Sequence, residues 1–435
     1  VAGELRLSLR VWFHLGCLAV ALVSEALAQD TSLTLSDCVQ KALEARNELS
    51  IARNDLRIAQ QGVVAARAGF LPQVQATGGY TYNSPSKTAG SQQFISLNGV
   101  HEYVTQFGAS LPIDTSGRLR AELARARSER EAARLGVRMT ERDLRRAVTA
   151  SYYRLVLARR LVDVAKSTLA EAQSFESRVR KLNAGGEAAR ADVVKAQGEV
   201  AFLQQTLEAA ELDAETANHD LASYWTADVS GVLKVADPFD GPLVDGPLAQ
   251  PAPESAGDAY LRRVEFSIFD AQRLGLKADI GAARAGLLPQ TSVNWQYGID
   301  SSSYTWAERG QAFFATVEVP IFDWLKAWSA TKQAHLRLDS FDISRDIARR
   351  NLSKEYQSSL ARVRLTWVQI ETTRQQVSLS RENFRLAQVK YEGGEGLALD
   401  VVAAQSQLAQ ARGNYYSAIA AYFNARADLE VASGQ

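Results

Sequence analysis

The chain has 435 residues, enough for roughly two or three ordinary cores, and its 49 basic residues are matched by 49 acidic ones. That balance leaves no basic stripe for phosphate and argues against a nucleic-acid partner. The histidines, His14, His101, His219 and His335, share no metal-ligand spacing. No Gly-rich phosphate loop with a following lysine occurs. Catalysis, a cofactor and a resident metal are therefore not expected.

Arg6 and Arg10 precede an apolar run from Val11 to Val23, which is too short to span a bilayer as a helix. Ala26-Leu27-Ala28 follows, before Gln29. A positive start, a short apolar centre and an A-x-A site read as a secretory signal peptide over residues 1–28; the alternative is a buried N-terminal helix. Export is expected. Cys17 lies inside that segment, so Cys38 would remain alone and no internal disulfide is expected. No later stretch reads as a transmembrane helix, so membrane entry would require a closed β-barrel.

A helical stretch runs from about Leu35 to Gly69 and is stopped by Leu71-Pro72, because proline disfavours the α conformation of the residue before it. Strand-like segments at 73–83 and 103–113 follow. A helix without proline is then expected from Gly117 to Leu182. At about 66 residues and a rise of 1.5 Å it would be roughly 100 Å long. Gly185-Gly186-Glu187 marks a turn, and a return helix runs from about Asp192 to Tyr224. Pro, Gly and Asp enrich residues 237–257, which read as an irregular crossing segment.

The same order then recurs. Ala66-Arg67-Ala68-Gly69-Phe70-Leu71-Pro72-Gln73 returns as Ala283-Arg284-Ala285-Gly286-Leu287-Leu288-Pro289-Gln290. Arg46 and Glu48 pair in that register with Arg263 and Glu265. Leu111-Pro112-Ile113 matches Val319-Pro320-Ile321, and Gly185-Gly186-Glu187 matches Gly393-Gly394-Glu395 without a net gap. Asp192-Val193-Val194 matches Asp400-Val401-Val402. The chain is a duplication. One repeat spans 29–236 and the other 258–435. The second is expected to hold a helix over about Asp258–Leu288, strands at 290–300 and 311–321, a long helix from Trp324 to Lys390 and a return helix from Asp400 to Val431. The dense charges of the long helices read as solvated coiled-coil faces.

The strands alternate with period two. Val74, Ala76, Gly78, Tyr80 and Tyr82 share one face of the first; Tyr103, Phe107, Ala109 and Leu111 share one face of the second. Val293, Trp295, Tyr297 and Ile299, then Phe313, Ala315, Val317, Val319 and Ile321, do the same in the second repeat. Such alternation also suits a soluble sheet packed on a helix. Segment lengths near the 9–11 residues of a tilted membrane strand, and aromatics clustered toward strand ends, favour membrane strands. Tyr80, Tyr82, Tyr103, Phe107, Trp295, Tyr297 and Phe313 would then face lipid. Four strands leave two open edges, which lipid does not tolerate. Two copies would supply eight strands and three would supply twelve; the pattern requires an oligomer and leaves the choice open.

The twice-repeated order of helix, Leu-Pro-Gln, strand hairpin, Pro-Ile-Asp or Pro-Ile-Phe-Asp, long helix, Gly-Gly turn, Asp-Val-Val and return helix resembles the TolC-type outer-membrane efflux proteins over nearly the whole mature chain. The resemblance implies a mainly α fold with membrane β: a homotrimer with a 12-stranded barrel in the outer membrane and a 12-helix tunnel in the periplasm. It implies an exit duct, not an enzyme. The duct would dock a periplasmic adaptor (membrane fusion protein) and be driven by an inner-membrane pump of RND or ABC type. Small molecules such as drugs, dyes or metal ions are the expected cargo, with one-step protein secretion as the alternative. A periplasmic scaffold without a barrel is the remote third. The resemblance also places Asp400 in an aspartate ring at the periplasmic entrance and makes Asp192 with Tyr391 a closing latch. Gly185, Gly186, Glu187, Gly393, Gly394 and Glu395 would form the tip where the adaptor docks. Two positions depart from the family pattern: Gly396 stands where a latch arginine would be, and Ala403 where a second ring aspartate would be.

Overall fold

The computed structural model describes residues 32–84, 100–239 and 258–434. The expected signal peptide, the first hairpin loop at 85–99 and most of the segment 237–257 lie outside the described residues. In chain order the elements are α1 (Leu35–Glu44), α2 (Glu48–Ala68), β1 (Gln73–Tyr82), β2 (His101–Ile113), α3 (Arg118–Ala184) and α4 (Arg190–Ala222). A short 3-10 turn (Ala259–Arg262) leads to α5 (Val264–Ala285), β3 (Gln290–Ser301), β4 (Arg309–Glu318), α6 (Lys326–Glu392) and α7 (Ala398–Ala432). The duplication is visible in the elements. Helices α3 and α6 are both 67 residues long and begin and end at equivalent residues of the two repeats.

One expected helix is two. Thr34 caps α1 in a reciprocal box, accepting from the Asp37 N–H while the Asp37 carboxylate accepts from the Thr34 N–H at 2.9 Å. The helix stops at Ala45, which is extended, and the Asn47 amide turns back to donate to the Ala42 carbonyl. Side-chain competition for the backbone ends the helix there, although the hydrophobic pattern continues. In the second repeat the helix expected from Asp258 begins only at Val264, after the 3-10 turn. Strand β4 ends at Glu318, opposite Gln290, the first residue of β3, so Val319-Pro320-Ile321 lies beyond its neighbour's ladder, whereas the equivalent Pro112 stays inside β2 opposite Ser292.

The chain forms two compact units. One contains Glu48–Arg142, Ser255–Gln357 and Val431–Gln435, so it holds α2, the strands, α5 and the first parts of α3 and α6. Its four strands form one antiparallel sheet in the order β1-β2-β3-β4. The register pairs Val74 with Ala109, Ala109 with Trp295 and Trp295 with Phe313; one row further on, Ala76, Phe107, Tyr297 and Gln311 are opposite one another. Tyr80 lies opposite Tyr103 and Tyr82 opposite His101. Side chains alternate along a strand and pair across it, so every expected aromatic falls on one face. Gln75, Thr77, Gln106, Gln296, Asn294 and Thr316 fall on the other, where Gln106 donates to Asp300 at 3.2 Å and Asn294 to Thr316 at 3.2 Å. Phe314 breaks the pattern on the polar face. Among the described residues the outer edges of β1 and β4 have no strand partner, and every residue of β4 is exposed.

The Pro-Ile-Asp motifs turn the strands into the long helices. Asp114 accepts from the N–H groups of Leu119 at 3.0 Å and Arg120 at 3.1 Å, and Asp323 accepts from that of Ala327 at 2.7 Å. A carboxylate at a helix start satisfies free donors and favours the positive end of the dipole.

Charge locks this unit internally. Glu265, at the start of α5, takes a two-pronged bond from Arg142 of α3 at 3.0 Å and another from Arg263 at 2.7 Å. Arg263 is 5% exposed and also reaches Glu355 at 2.9 Å. Burial pushes the Glu265 carboxyl up, but the two guanidinium groups outweigh it and hold its pKa at about 2.

The other unit gathers the last parts of α3 and α6 with α1, α4 and α7. Phe175 and Val179 of α3, Ala196 of α4, Phe384 of α6, and Ala398, Val401 and Leu408 of α7 make one buried cluster, so all four helix segments share a core. Further along, Tyr153 stacks on Phe423 at 4.7 Å, and the Tyr152 hydroxyl donates to the Ala236 carbonyl at 2.6 Å. The connecting segment is tied to the N-terminal one by a parallel bridge between Leu33 and Val235.

Candidate functional site

Both Gly-Gly turns close their helices in the same way. In the first, Glu187 N–H donates to the Leu182 carbonyl at 2.9 Å and Gly186 N–H to Asn183 at 3.0 Å. In the second, Glu395 donates to Lys390 at 3.0 Å and Gly394 to Tyr391 at 3.1 Å. This nested pair of bonds requires a left-handed residue after the helix, and Gly186 and Gly394 supply it with φ of 81° and 73°. Gly394→Ala has open space around its Cβ, so its cost is conformational, about 1–2 kcal/mol. Thermal melts should show that loss in Gly394→Ala and nothing comparable in Gly198→Ala, a helical site with equally open surroundings.

Gly396 is held as well. Its N–H shares the Lys390 carbonyl at 3.1 Å, and an added Cβ would stand 3.0 Å from the Tyr391 nitrogen. The compact turn leaves little room for a side chain where the family pattern has arginine.

Around these turns the two repeats meet within one unit. The Tyr391 ring packs edge-on against Phe175 at 5.3 Å, and Arg178 pairs with Glu392 at 2.7 Å. Phe175, Arg178, Leu182, Gln388, Tyr391 and Glu392 line a cleft of about 290 Å³. The Tyr391 hydroxyl is buried and makes no hydrogen bond among the described residues. Burial, and secondarily the nearby Asp192 carboxylate, raise its pKa. Asp192 lies in the first turn of α4 and Asp400 in the first turn of α7. Asp400 is exposed and accepts from the Leu397 N–H at 3.3 Å, a helix-capping contact. Ala403 is exposed on the same helix.

The expected residues therefore come together at one end of the unit, with Asp192 near Tyr391 but not bonded to it. Sequence reasoning missed Phe175, Arg178 and Glu392. Their signal is faint, because an aromatic and an ion pair on charged helices read as ordinary coiled-coil surface.

The chain thus combines an amphipathic four-stranded sheet, whose outer edges have no strand partner among the described residues, with two helical hairpins that each begin with a 67-residue helix. No helix among the described residues is long and apolar enough to cross a membrane. A family model described as outer membrane efflux protein matches residues 38–227 and 262–435, close to the two repeats, and the chain belongs to that family. The cobalt-zinc-cadmium resistance protein CzcC of Cupriavidus metallidurans is 24% identical over 92% of this chain and 89% of its own. The toluene efflux pump outer membrane protein TtgF of Pseudomonas putida is 26% identical over 81% and 72%. The crystal structure of the Campylobacter jejuni CmeC outer membrane channel shares the fold, with a TM-score of 0.82, 15% identity and coverage of 92% of this chain and 85% of that one. The protein is an outer-membrane efflux channel component that extends into the periplasm.

Proposed function

We propose that three copies join edge to edge, β4 of one beside β1 of the next, into a twelve-stranded barrel whose aromatic face meets outer-membrane lipid. One observation carries this reading: the register gathers the strands' aromatic side chains, Phe314 excepted, on one face of a sheet whose two outer edges have no partner among the described residues. Bilayers do not accept open edges, and bacterial barrels have at least about 8 strands. The helices continue the barrel as a periplasmic duct. The turns at Gly185–Glu187 and Gly393–Glu395 meet a periplasmic adaptor, and an inner-membrane pump supplies the energy. Drugs, dyes, organic solvents or metal cations are the cargo class; the names of the relatives TtgF and CzcC, toluene efflux and cobalt-zinc-cadmium resistance, support it. A deletion strain should gain sensitivity to dyes, toluene or these cations and regain tolerance on complementation. Unchanged tolerance with loss of one secreted protein would replace small-molecule efflux by protein export.

The entrance of this duct lies at the turns. Asp192 and Tyr391 form its latch: the buried hydroxyl has no hydrogen bond among the described residues, and the Asp192 carboxylate is close enough to act on it electrostatically. Asp400, repeated around the axis, supplies a ring of charge. In planar bilayers Asp192→Ala with Tyr391→Phe should raise the closed-state conductance, and Asp400→Ala should weaken block by divalent cations. Wild-type conductance and block in these variants would remove the gating assignment.

A further inference from the structure

The Arg142–Glu265–Arg263 cluster, which includes the buried Arg263, is built across the repeats, with Arg142 on α3 of the first and the other two at the start of α5 in the second. Each member has an identical residue at the equivalent position of the other repeat. Arg350 on α6 stands for Arg142, and Glu48 and Arg46, at the start of α2, stand for Glu265 and Arg263. The structure respects this equivalence: Gly69 lies against Leu119 as Gly286 lies against the matching Ala327. Yet among the described residues the second set is not assembled. Arg46, Glu48 and Arg350 are all exposed.

The apolar surroundings repeat the pattern. Helix α5 touches α3 through the Ser128 bond to the Ala271 carbonyl at 2.8 Å and α6 through Arg273–Asp342 at 2.7 Å. Its counterpart α2 exposes Ile51, Ile58 and Val64. On α6, Leu336 and Ile343 occupy the places of Ser128 and Leu135, which are buried on α3, and both are exposed. Helices with exposed apolar rows and complementary charges need a partner.

We infer that these are two halves of one contact between copies of this chain: α2 of one protomer lies on α6 of the next, with its Glu48 and Arg46 closing on the neighbour's Arg350. The inference rests on the oligomeric reading proposed above. The connections favour it, since α2 leads into β1 and β4 leads into α6, so joining β4 to the next β1 brings these helices side by side. An adaptor would find this face already covered.

The test uses the full chain extracted from outer membranes. Glu48→Arg and Arg350→Glu should each lower the temperature at which the oligomer dissociates on semi-native gels, and the double reversal should restore it. Glu48→Cys with Arg350→Cys should yield a covalent trimer with a bismaleimide, while either cysteine alone should not. A wild-type oligomer that neither cross-links at this pair nor responds to the reversals overturns the contact and leaves the trimer standing. A wild-type monomer overturns the trimer, and the contact with it.

Discussion

Glu265→Gln is expected to cost the sheet-bearing unit about 3 kcal/mol at neutral pH. The carboxylate joins Arg142 and the buried Arg263, and its pKa of about 2 compares with 4.5 for a free glutamate. Truncating Glu265 leaves Arg142 and the buried Arg263 charged and partly desolvated, which is more costly than the pair is stabilising. The pH dependence follows from the sign of the shift. A depressed carboxyl pKa stabilises the fold fully above the unfolded value, near 4.5, and loses that contribution as pH falls through about 2. Thermal melts of the two proteins should therefore differ most above about pH 5 and converge between pH 4.5 and 2. A constant gap across that window would remove the linkage and leave only a packing role for Glu265.

The second large effect is expected at Gly298, in the middle of the sheet. A Cβ there would stand 2.0 Å from the Thr105 carbonyl oxygen and 2.6 Å from the Gln106 Cα. These are backbone atoms of the neighbouring strand, so relief requires β2 and β3 to separate. Gly298→Ala should abolish the heat-resistant oligomer in outer-membrane fractions while helix content survives. Gly310 is its cross-strand partner and would have nothing within 4 Å of an added methyl, so Gly310→Ala is the matched control and should assemble normally. Normal assembly of Gly298→Ala would show that the strands do not approach as closely as the register implies.

Much of the architecture was legible because it repeats. Leu-Pro stops, Gly-Gly turns and proline-free runs act locally, so the long helices could be placed within about two residues of their ends. The alternation in each strand foretold which side chains share a face. It could not foretell the break at Ala45–Asn47, where one amide outbids the helix for the Ala42 carbonyl. Nor could it place Pro320 outside β4, because strand ends depend on which ladder bonds the neighbour offers. Of the residues proposed for the entrance, Asp192, Tyr391 and Asp400 came from the family pattern, while their neighbours Phe175, Arg178 and Glu392 were reached only through the packing of four helices.

By itself the sequence determined the unit and its duplication: helix, hairpin, long helix, turn and return, each specified by residues within a few positions of one another. Tertiary structure alone decided how the two copies differ. The same Arg, Arg and Glu are locked together where α5 meets α3, and stand open on α2 and α6. Local rules read both sets identically, because burial and ion pairing depend on which distant helix lies alongside.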